Sequence, residues 1–232
     1  MKKRGFLRRT WRILKKIFLL LFIGQFVYVV VLKWISPPVT ITQLLSLISG
    51  SGLRRDYINW NEMPVSARLA IIAAEDQLFA DHSGFDWKSI EKAMAYNKRK
   101  PNRVRGASTI SQQVAKNVFL WQGRSWMRKG LEMYFTFMIE LIWGKKRILE
   151  VYLNVAQMGN GVFGIQAAAE TNFKKPALKL SKKEAAMIAA CLPNPGRYKV
   201  RPVSPYVAAR YSWIMKQMNN IGTDPDIRRI IR

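Results

Sequence analysis

The chain has 232 residues, of which 39 are Lys or Arg and 14 are Asp or Glu, so its formal net charge is +25. With 49% apolar residues it is too hydrophobic for a disordered basic tail, and its single Cys excludes an internal disulfide. One His and one Cys also argue against a zinc site of the usual nitrogen and sulfur type. The excess charge requires an anionic partner, and composition leaves nucleic acid, an anionic membrane and a phosphorylated substrate open.

The N-terminal segment predicts a membrane anchor. Residues 1–16 form a basic tail with eight basic and no acidic side chains, and residues 17–35 form a mainly apolar stretch whose only charge is Lys33. A helix over 17–35 would rise ~28 Å, close to the ~30 Å of a bilayer core. No small-residue cleavage site follows, which favours an uncleaved signal anchor over a signal peptide, with a buried core helix as the alternative. The charge asymmetry predicts a cytoplasmic N-terminus and argues against nucleic acid as the partner.

Beyond the anchor, the pattern predicts a connector over 36–62, a domain over 63–222 and a basic C-terminal tail over 223–232. The connector contains a short amphipathic piece. The domain reads as helical almost throughout, and no strand pair shows hairpin signals. A first helix opens near Ser66 and delivers Glu75 and Asp76 near its end. Later helices are predicted, with Ser108 or Thr109, Ser125 and Ser181 as N-terminal caps, at 90–97, 108–120, 125–143, 145–154, 162–171, 181–192 and 206–221.

Two short motifs match those of unrelated enzymes. Residues 159–164 fit the dinucleotide fingerprint G-x-G-x-x-G, but no βαβ unit surrounds them, which favours a loop before a helix. Ser89 and Lys92 fit the S-x-x-K of penicillin-binding acyl-enzymes. Because the sequence has neither S-x-N nor K-T-G, we interpret this match as chance on a solvent-facing helix.

Glu75 is a candidate for proton transfer. Seven of the 14 acidic residues lie between Asp56 and Glu91, in a chain that is otherwise strongly basic. Glu75 follows the apolar run 71–74, so its carboxylate is expected at the rim of a loop. Partial desolvation raises the pKa of a carboxylate toward the range useful for proton transfer. Position alone leaves an ordinary exposed Glu at a helix end equally open.

Amide and basic side chains gather near the starts of two later helices. Such groups, together with the free N–H groups of a helix N-terminus, can bind phosphate oxygens. Taken singly, each is better explained as a solvated basic face with a helix salt bridge. The residues concerned are Gln112 and Lys116 on one helix face, Arg128 and Glu132 on another, and the neighbouring Arg124 and Lys129.

Five segments, in order, resemble the motifs of the peptidoglycan glycosyltransferases of glycosyltransferase family 51. They are residues 75–86, 105–113, 128–132, 145–154 and 164–169. The resemblance covers roughly residues 62–200 and implies a mainly α, lysozyme-like fold behind the transmembrane helix. The monofunctional form of the family is expected, because the chain ends near Arg232 without room for a transpeptidase domain. One departure is residues 171–174, where the family has an aromatic pair followed by Gly, at a position expected to serve packing.

The resemblance implies that the protein polymerises lipid II into glycan strands, with inversion and release of undecaprenyl pyrophosphate. By analogy, Glu75 is the general base that deprotonates the acceptor 4-hydroxyl. Glu132 is a second acid that orients the basic cluster or helps to hold a divalent metal, Mg or Mn, at the pyrophosphate, and no organic cofactor is expected. The donor and pyrophosphate site would comprise Ser108, Gln112, Gln113, Lys116, Arg124, Arg128 and Lys129. The positions that support the motifs are Asp76, Phe79, His82, Gly84, Asp86, Lys145 and Asn154.

The resemblance also implies location and partners. We expect a single-pass protein of the bacterial inner membrane with a cytoplasmic N-terminus and a periplasmic catalytic domain. Its expected partners are lipid II, the growing lipid-linked glycan, the bilayer, and proteins of cell-wall synthesis or division, but not nucleic acid. A subset of the apolar residues over 119–126 and 134–143 is hypothesised to dip into the bilayer. A lytic enzyme of the same fold type and a non-enzymatic membrane-anchored scaffold are the competing hypotheses.

Overall fold

The computed structural model describes residues 2–101, 106–123 and 125–232, with side chains from residue 8 onward. These residues form eleven α-helices and three short strands, and the predicted mainly α class is confirmed. The strands are β1 (Arg54–Arg55), β2 (Gln157–Gly159) and β3 (Val162–Phe163). The helices are α1 (Lys2–Val31), α2 (Ile41–Ile48), α3 (Val65–Glu75), α4 (Trp87–Arg99), α5 (Ile110–Phe119), α6 (Trp126–Ile142), α7 (Gly144–Val155), α8 (Ile165–Phe173), α9 (Lys182–Cys191), α10 (Pro205–Ile221) and α11 (Pro225–Ile231).

The chain divides into two compact units, and the first, Met1–Ser36, consists mainly of the helix α1. From Arg8 to Val31 this helix has 24 residues and is long and apolar enough, by length and composition, to cross a membrane. Most of its large apolar side chains are exposed, as on a helix whose surroundings are lipid. Residues 1–16, interpreted as a tail, belong to the same helix from Lys2 onward, and the helix ends earlier than the predicted limit at residue 35.

The second unit, Pro37–Arg232, is built around two groups of packed helices. In one group α3 contacts α9 and α10, and in the other α5 contacts α6 and α7. Helix α3 is buried on nearly every side, since all residues from Ala67 to Ala73 are inaccessible. Its C-terminal end, however, emerges from this packing and delivers Glu75 to a cavity.

The predicted helix caps explain where several helices begin. Of the two candidates before α5, Thr109 is the cap, and its hydroxyl accepts a hydrogen bond from the N–H of Gln112. Ser125 caps α6 and Ser181 caps α9 in the same way. A side-chain oxygen at this position satisfies an N–H group that has no partner within the helix.

A small sheet lies where the sequence analysis expected none. Strand β3 pairs antiparallel with β2 and parallel with β1, so the predicted absence of a hairpin and the predicted helix start at residue 162 were wrong. The strands have two or three residues, too few to display an alternating pattern. Gly161 permits the turn, because it has φ +64° and an added Cβ would lie 2.1 Å from the Ser51 carbonyl oxygen. The G-x-G-x-x-G match therefore serves a tight hairpin.

Both ends of the predicted domain extend further than expected. The connector is bound to the domain through Ile58, whose backbone forms two hydrogen bonds with the side chain of Asn154 on α7. Asn154 accepts from the Ile58 N–H at 3.1 Å and donates to the Ile58 carbonyl oxygen at 3.0 Å. The predicted basic tail includes the helix α11, whose Ile231 is buried. Arg68 Nη1 donates to the Ile231 carbonyl oxygen at 2.6 Å, so this helix is held against α3.

Candidate active site

A cavity of about 850 Å³ opens at the C-terminal end of α3. Among the predicted site residues, it is lined by Glu75, Asp76, Asp86, Ser108 and Gln113. These residues come from the end of α3, the segment before α4, the segment before α5 and α5 itself, so the fold brings distant parts of the chain together here.

Helix α4 forms one wall of the cavity, and none of its residues is buried. Ser89 and Lys92 line that wall. The S-x-x-K pair therefore faces the cavity, whereas the sequence pattern predicts a helix face in bulk solvent. Asp86 caps α4 by accepting from the N–H of Ser89 at 2.9 Å. Burial acts to raise the pKa of Asp86, but the hydrogen bonds from Ser89 and the charges of His82 and Lys92 together outweigh it, and the pKa is lowered overall.

Glu75, the last residue of α3, has a raised pKa. The main cause is burial, which disfavours the charged carboxylate. Gln113 acts in the opposite direction, since its Nε2 donates to Glu75 Oε2 at 2.8 Å. The positive charges of Arg210 and Lys116 also lower the pKa, and the negative charge of Asp76 raises it. The carboxylate is thus partly withdrawn from water but keeps one amide donor and two cations nearby.

Asp76 is 7% exposed, and both of its carboxylate oxygens are occupied. Oδ2 accepts from the backbone N–H of Ile110 at 3.0 Å, and Oδ1 lies 3.0 Å from His82 Nε2. The N–H of Gly84 donates to His82 Nδ1 at 3.2 Å, which assigns the ring proton to Nε2 and makes His82 the donor to Asp76. These contacts tie the loop after α3 to the start of α5.

The remaining motif positions hold the same loop. Lys145 Nζ donates to the His82 carbonyl oxygen at 2.5 Å, pairs with Glu140 at 2.7 Å and lies 4.6 Å from the centroid of the Phe79 ring. Gly84 has φ +89°, and an added Cβ would lie 2.8 Å from Thr136 Cγ2. Only glycine fits this backbone without strain, which explains its place in the motif.

A second group of predicted residues forms a basic cluster on α5 and α6. Glu132 is 3% exposed, and one of its oxygens pairs with Arg128 Nη1 at 2.6 Å while the other contacts Lys129 Nζ. Burial lowers the pKa of Lys116; the negative charge of Glu132 opposes this, and the positive charges of Arg128 and Lys129 reinforce it. Among the described residues, Arg128 Nε is buried without a hydrogen-bond partner. Two cations therefore contact one carboxylate and a third, Lys116, interacts with it through charge, while Arg128 Nε remains a donor without a partner.

Lys116 connects the two groups electrostatically, because its charge acts on both Glu75 and Glu132. Gln112 joins neither group: it is 2% exposed, and its Oε1 accepts from the N–H of Thr109 at 3.1 Å within the cap of α5. Arg124, predicted at the donor site, lies outside the described residues, as does Arg105 of the second motif segment.

The predicted metal role of Glu132 does not fit its surroundings. Both of its oxygens contact cations, and in the described parts of the chain no three His, Cys, Asp or Glu residues gather as a metal site. A divalent ion, Mg or Mn, at the pyrophosphate stays a prediction.

Tyr152 and Arg210 are two site residues that sequence reasoning did not assign. The Tyr152 hydroxyl donates to Gln113 Oε1 at 3.1 Å, and Arg210 reaches Glu75 through its charge. A signal for Tyr152 exists in the sequence, since it lies in a motif segment among apolar residues, and a buried Tyr hydroxyl requires a partner. No comparable signal marks Arg210.

Comparison with known proteins agrees with this geometry. The transglycosylase family model matches residues 42–219, most of the second unit. The chain is also similar to the biosynthetic peptidoglycan transglycosylases of Shigella boydii serotype 4 (strain Sb227), Shigella sonnei (strain Ss046) and Escherichia coli (strain K12 / DH10B). Each is 58% identical over 170 residues, which cover 73% of this chain and 70% of the relative. The resemblance found in the motifs is confirmed, and the chain belongs to the transglycosylase family.

Proposed function

We propose that this protein polymerises lipid II into glycan strands of the bacterial cell wall, with Glu75 as the general base. Membership of the transglycosylase family makes it a peptidoglycan glycosyltransferase, which is the activity in the names of its relatives. The observation that carries the proposal is the pairing of a partly desolvated carboxylate in a large cavity with a basic cluster on the adjoining helices.

The reaction requires a base at the acceptor sugar. Glu75 takes the proton of the acceptor 4-hydroxyl while the hydroxyl oxygen attacks the anomeric carbon of the donor. The bond from that carbon to the pyrophosphate oxygen breaks, and undecaprenyl pyrophosphate leaves from the opposite face, which inverts the configuration. A raised pKa makes Glu75 a stronger base, and Gln113 and Arg210 limit the rise.

The leaving group requires cations more than a general acid. Pyrophosphate departs as a stable anion once its charge is balanced, and Lys116, Arg128 and Lys129 can supply that balance. Glu132 would hold Arg128 and Lys129 in position, because it contacts both. Pyrophosphate oxygens can themselves bind Mg²⁺ or Mn²⁺, so a divalent ion is part of the proposal, without a protein carboxylate cage.

The lytic alternative has less support in the cavity. Lysozyme-type hydrolysis needs a carboxylic acid that protonates the leaving sugar oxygen, together with a second carboxylate. Besides Glu75, the predicted carboxylates that line the cavity are Asp76 and Asp86. Glu75, with its raised pKa, could be the acid, but it would then need one of these two as the second carboxylate. Asp76 is engaged at both oxygens, and Asp86 is held by Ser89 as the cap of α4, so neither is well placed for that role.

The proposed location follows from the anchor and its flanking charge. We infer a single-pass protein of the inner membrane with a cytoplasmic N-terminus and a periplasmic catalytic domain. On α6, Trp126 is 93% exposed and Leu141 is 71% exposed, which supports contact of this helix with the bilayer that carries the polyprenyl substrate. Partners among cell-wall synthesis or division proteins remain part of the proposal.

The test uses the full chain in detergent with lipid II and a divalent metal. Wild type and the control Glu91→Gln, which alters an exposed acid on α4, should form glycan polymer. Glu75→Gln should form at least about 100-fold less. Equal polymer from Glu75→Gln would overturn the assignment of the base. Soluble fragments released from preformed glycan, with none made from lipid II, would establish the lytic alternative.

A further inference from the structure

We propose that Tyr152 is a positioning residue for the general base and acts through Gln113; this inference rests on the proposed role of Glu75. Two hydrogen bonds in series join the three side chains. Tyr152 donates to Gln113 Oε1 at 3.1 Å, and Gln113 Nε2 donates to Glu75 Oε2 at 2.8 Å. The residues belong to α7, α5 and α3, so the series links three helices of the domain.

Burial makes the first of these hydrogen bonds durable. Tyr152 is 1% exposed and is among the largest fully buried side chains of the protein. Burial raises its pKa well above the ordinary value, and the negative charges of Glu75 and Asp76 add to the rise. The phenol therefore keeps its proton at any pH at which the enzyme works. It can always donate, and almost no water competes for its hydroxyl.

The direction of donation selects one orientation of the Gln113 amide. A carboxylate only accepts hydrogen bonds, so Glu75 requires the amide NH₂ on its side. In the flipped orientation, the amide oxygen would oppose the carboxylate. The Tyr152 proton holds Oε1 at the far end of the amide and so keeps the NH₂ directed at Glu75.

This support matters when Glu75 takes up its proton. A neutral Glu75 attracts the amide NH₂ less strongly and can donate to an oxygen, which would favour the flipped amide. Tyr152 opposes that flip, so the amide is still in place when Glu75 loses its proton. Because the hydrogen bond from Gln113 lowers the pKa of Glu75, the orientation of this amide also sets the pH range of the base.

Tyr152→Phe removes the hydroxyl and keeps the ring. We expect kcat to fall by about 5- to 50-fold and KM for lipid II to stay within about twofold. The acid limb of the kcat–pH profile should move to higher pH, because the less well-held amide lowers the pKa of Glu75 less. The matched control is Tyr57→Phe, which loses a donation to Gln43 Oε1 at 3.2 Å in the connector, outside the cavity. It should leave kcat and the acid limb unchanged.

A double-mutant cycle separates positioning from packing. Gln113→Ala should also lower kcat and move the acid limb to higher pH, and Tyr152→Phe in that background should cost nothing further. Equal losses from Tyr152→Phe in both backgrounds, or a loss of kcat with an unmoved acid limb, would overturn the proposal. An unchanged acid limb in Gln113→Ala would also overturn the proposal. This variant gives a result even if Tyr152→Phe lowers the melting temperature. Full activity of Glu75→Gln would instead show that the proposed base is wrong, whatever the cycle gives.

Discussion

Arg128 and Glu132 form an ion pair on α6 in which Nη1 and Oε2 are 2.6 Å apart and both side chains are largely inaccessible to water. The two residues are four apart, so they share one face of the helix. Lys129 contacts the other oxygen of Glu132. The carboxylate thus fixes two of the cations that we assign to the pyrophosphate.

Glu132→Gln should lower both stability and activity. Removing one partner of a buried ion pair leaves the other charge uncompensated, at a cost of about 3 kcal/mol in the free energy of unfolding. Denaturant unfolding of the full chain in detergent measures this change. The control is Asp226→Asn, which loses an ion pair whose side chains are 82% and 60% exposed and should change stability by less than about 1 kcal/mol. Similar losses in both variants would contradict the role given to Glu132.

The pH profile of kcat should have an acid limb above the ordinary range of a Glu carboxyl, about 4.3. Glu75 must be deprotonated to act as the base, and burial raises its pKa, so activity declines as pH falls through that raised value. Initial rates of glycan formation from saturating lipid II between pH 4 and pH 10 measure the limb. An acid limb at or below the ordinary value would exclude Glu75 as the titrating group.

The alkaline limb should belong to Lys116. Its pKa is lowered, chiefly by burial, and it must be protonated to stabilise the leaving pyrophosphate, so activity declines at a pH below the ordinary Lys value of about 10.4. Lys116→Arg keeps the charge at higher pH. It should move the alkaline limb upward and leave the acid limb in place, even if kcat falls. An alkaline limb unchanged by Lys116→Arg would assign it to another group.

The sequence predicted those features of the fold that depend on residues close together in the chain. Thr109, Ser125 and Ser181 were recognisable as caps because a cap needs only a side-chain oxygen and the next helical turn. Helix α11 was missed although Asp224 caps it and Pro225 is its first residue, because seven residues are too few to show a periodic pattern.

The site divides in the same way. The resemblance to the family motifs predicted Glu75 and Gln113 as site residues. Their hydrogen bond of 2.8 Å could not be predicted, because it depends on how α3 packs beside α5. The part played by Tyr152 was out of reach for the same reason, because its partner is 39 residues away along the chain. Gln112 was predicted to bind the donor, but in the structure its side chain accepts a hydrogen bond in the N-terminal cap of α5.

Glu75→Gln should make the protein more stable at neutral and alkaline pH. The pKa of Glu75 is higher in the folded than in the unfolded chain, so the folded state binds more protons between the two values and loses stability as pH rises through them. Glutamine removes the buried charge. The melting temperature of Glu75→Gln should exceed that of wild type at pH 8, and the difference should shrink toward zero near pH 4, where both side chains are neutral. A variant less stable than wild type at pH 8 would contradict the desolvated state of this carboxylate.

The exposed apolar face of α6 should bind membranes without the anchor. Phe137 is 59% exposed and Leu141 is 71% exposed, and their spacing of four places them on one face of the helix. Burial of two such side chains in lipid contributes about 2 kcal/mol, or roughly 30-fold in affinity. We therefore expect residues 37–232, a separate compact unit, to bind liposomes, and Phe137→Ser with Leu141→Ser to weaken binding by about 10- to 100-fold. Leu178→Ser, a control at another exposed apolar position, should bind like the parent. Equal binding of all three proteins would remove α6 from the membrane contact and leave basic charge as the source of affinity.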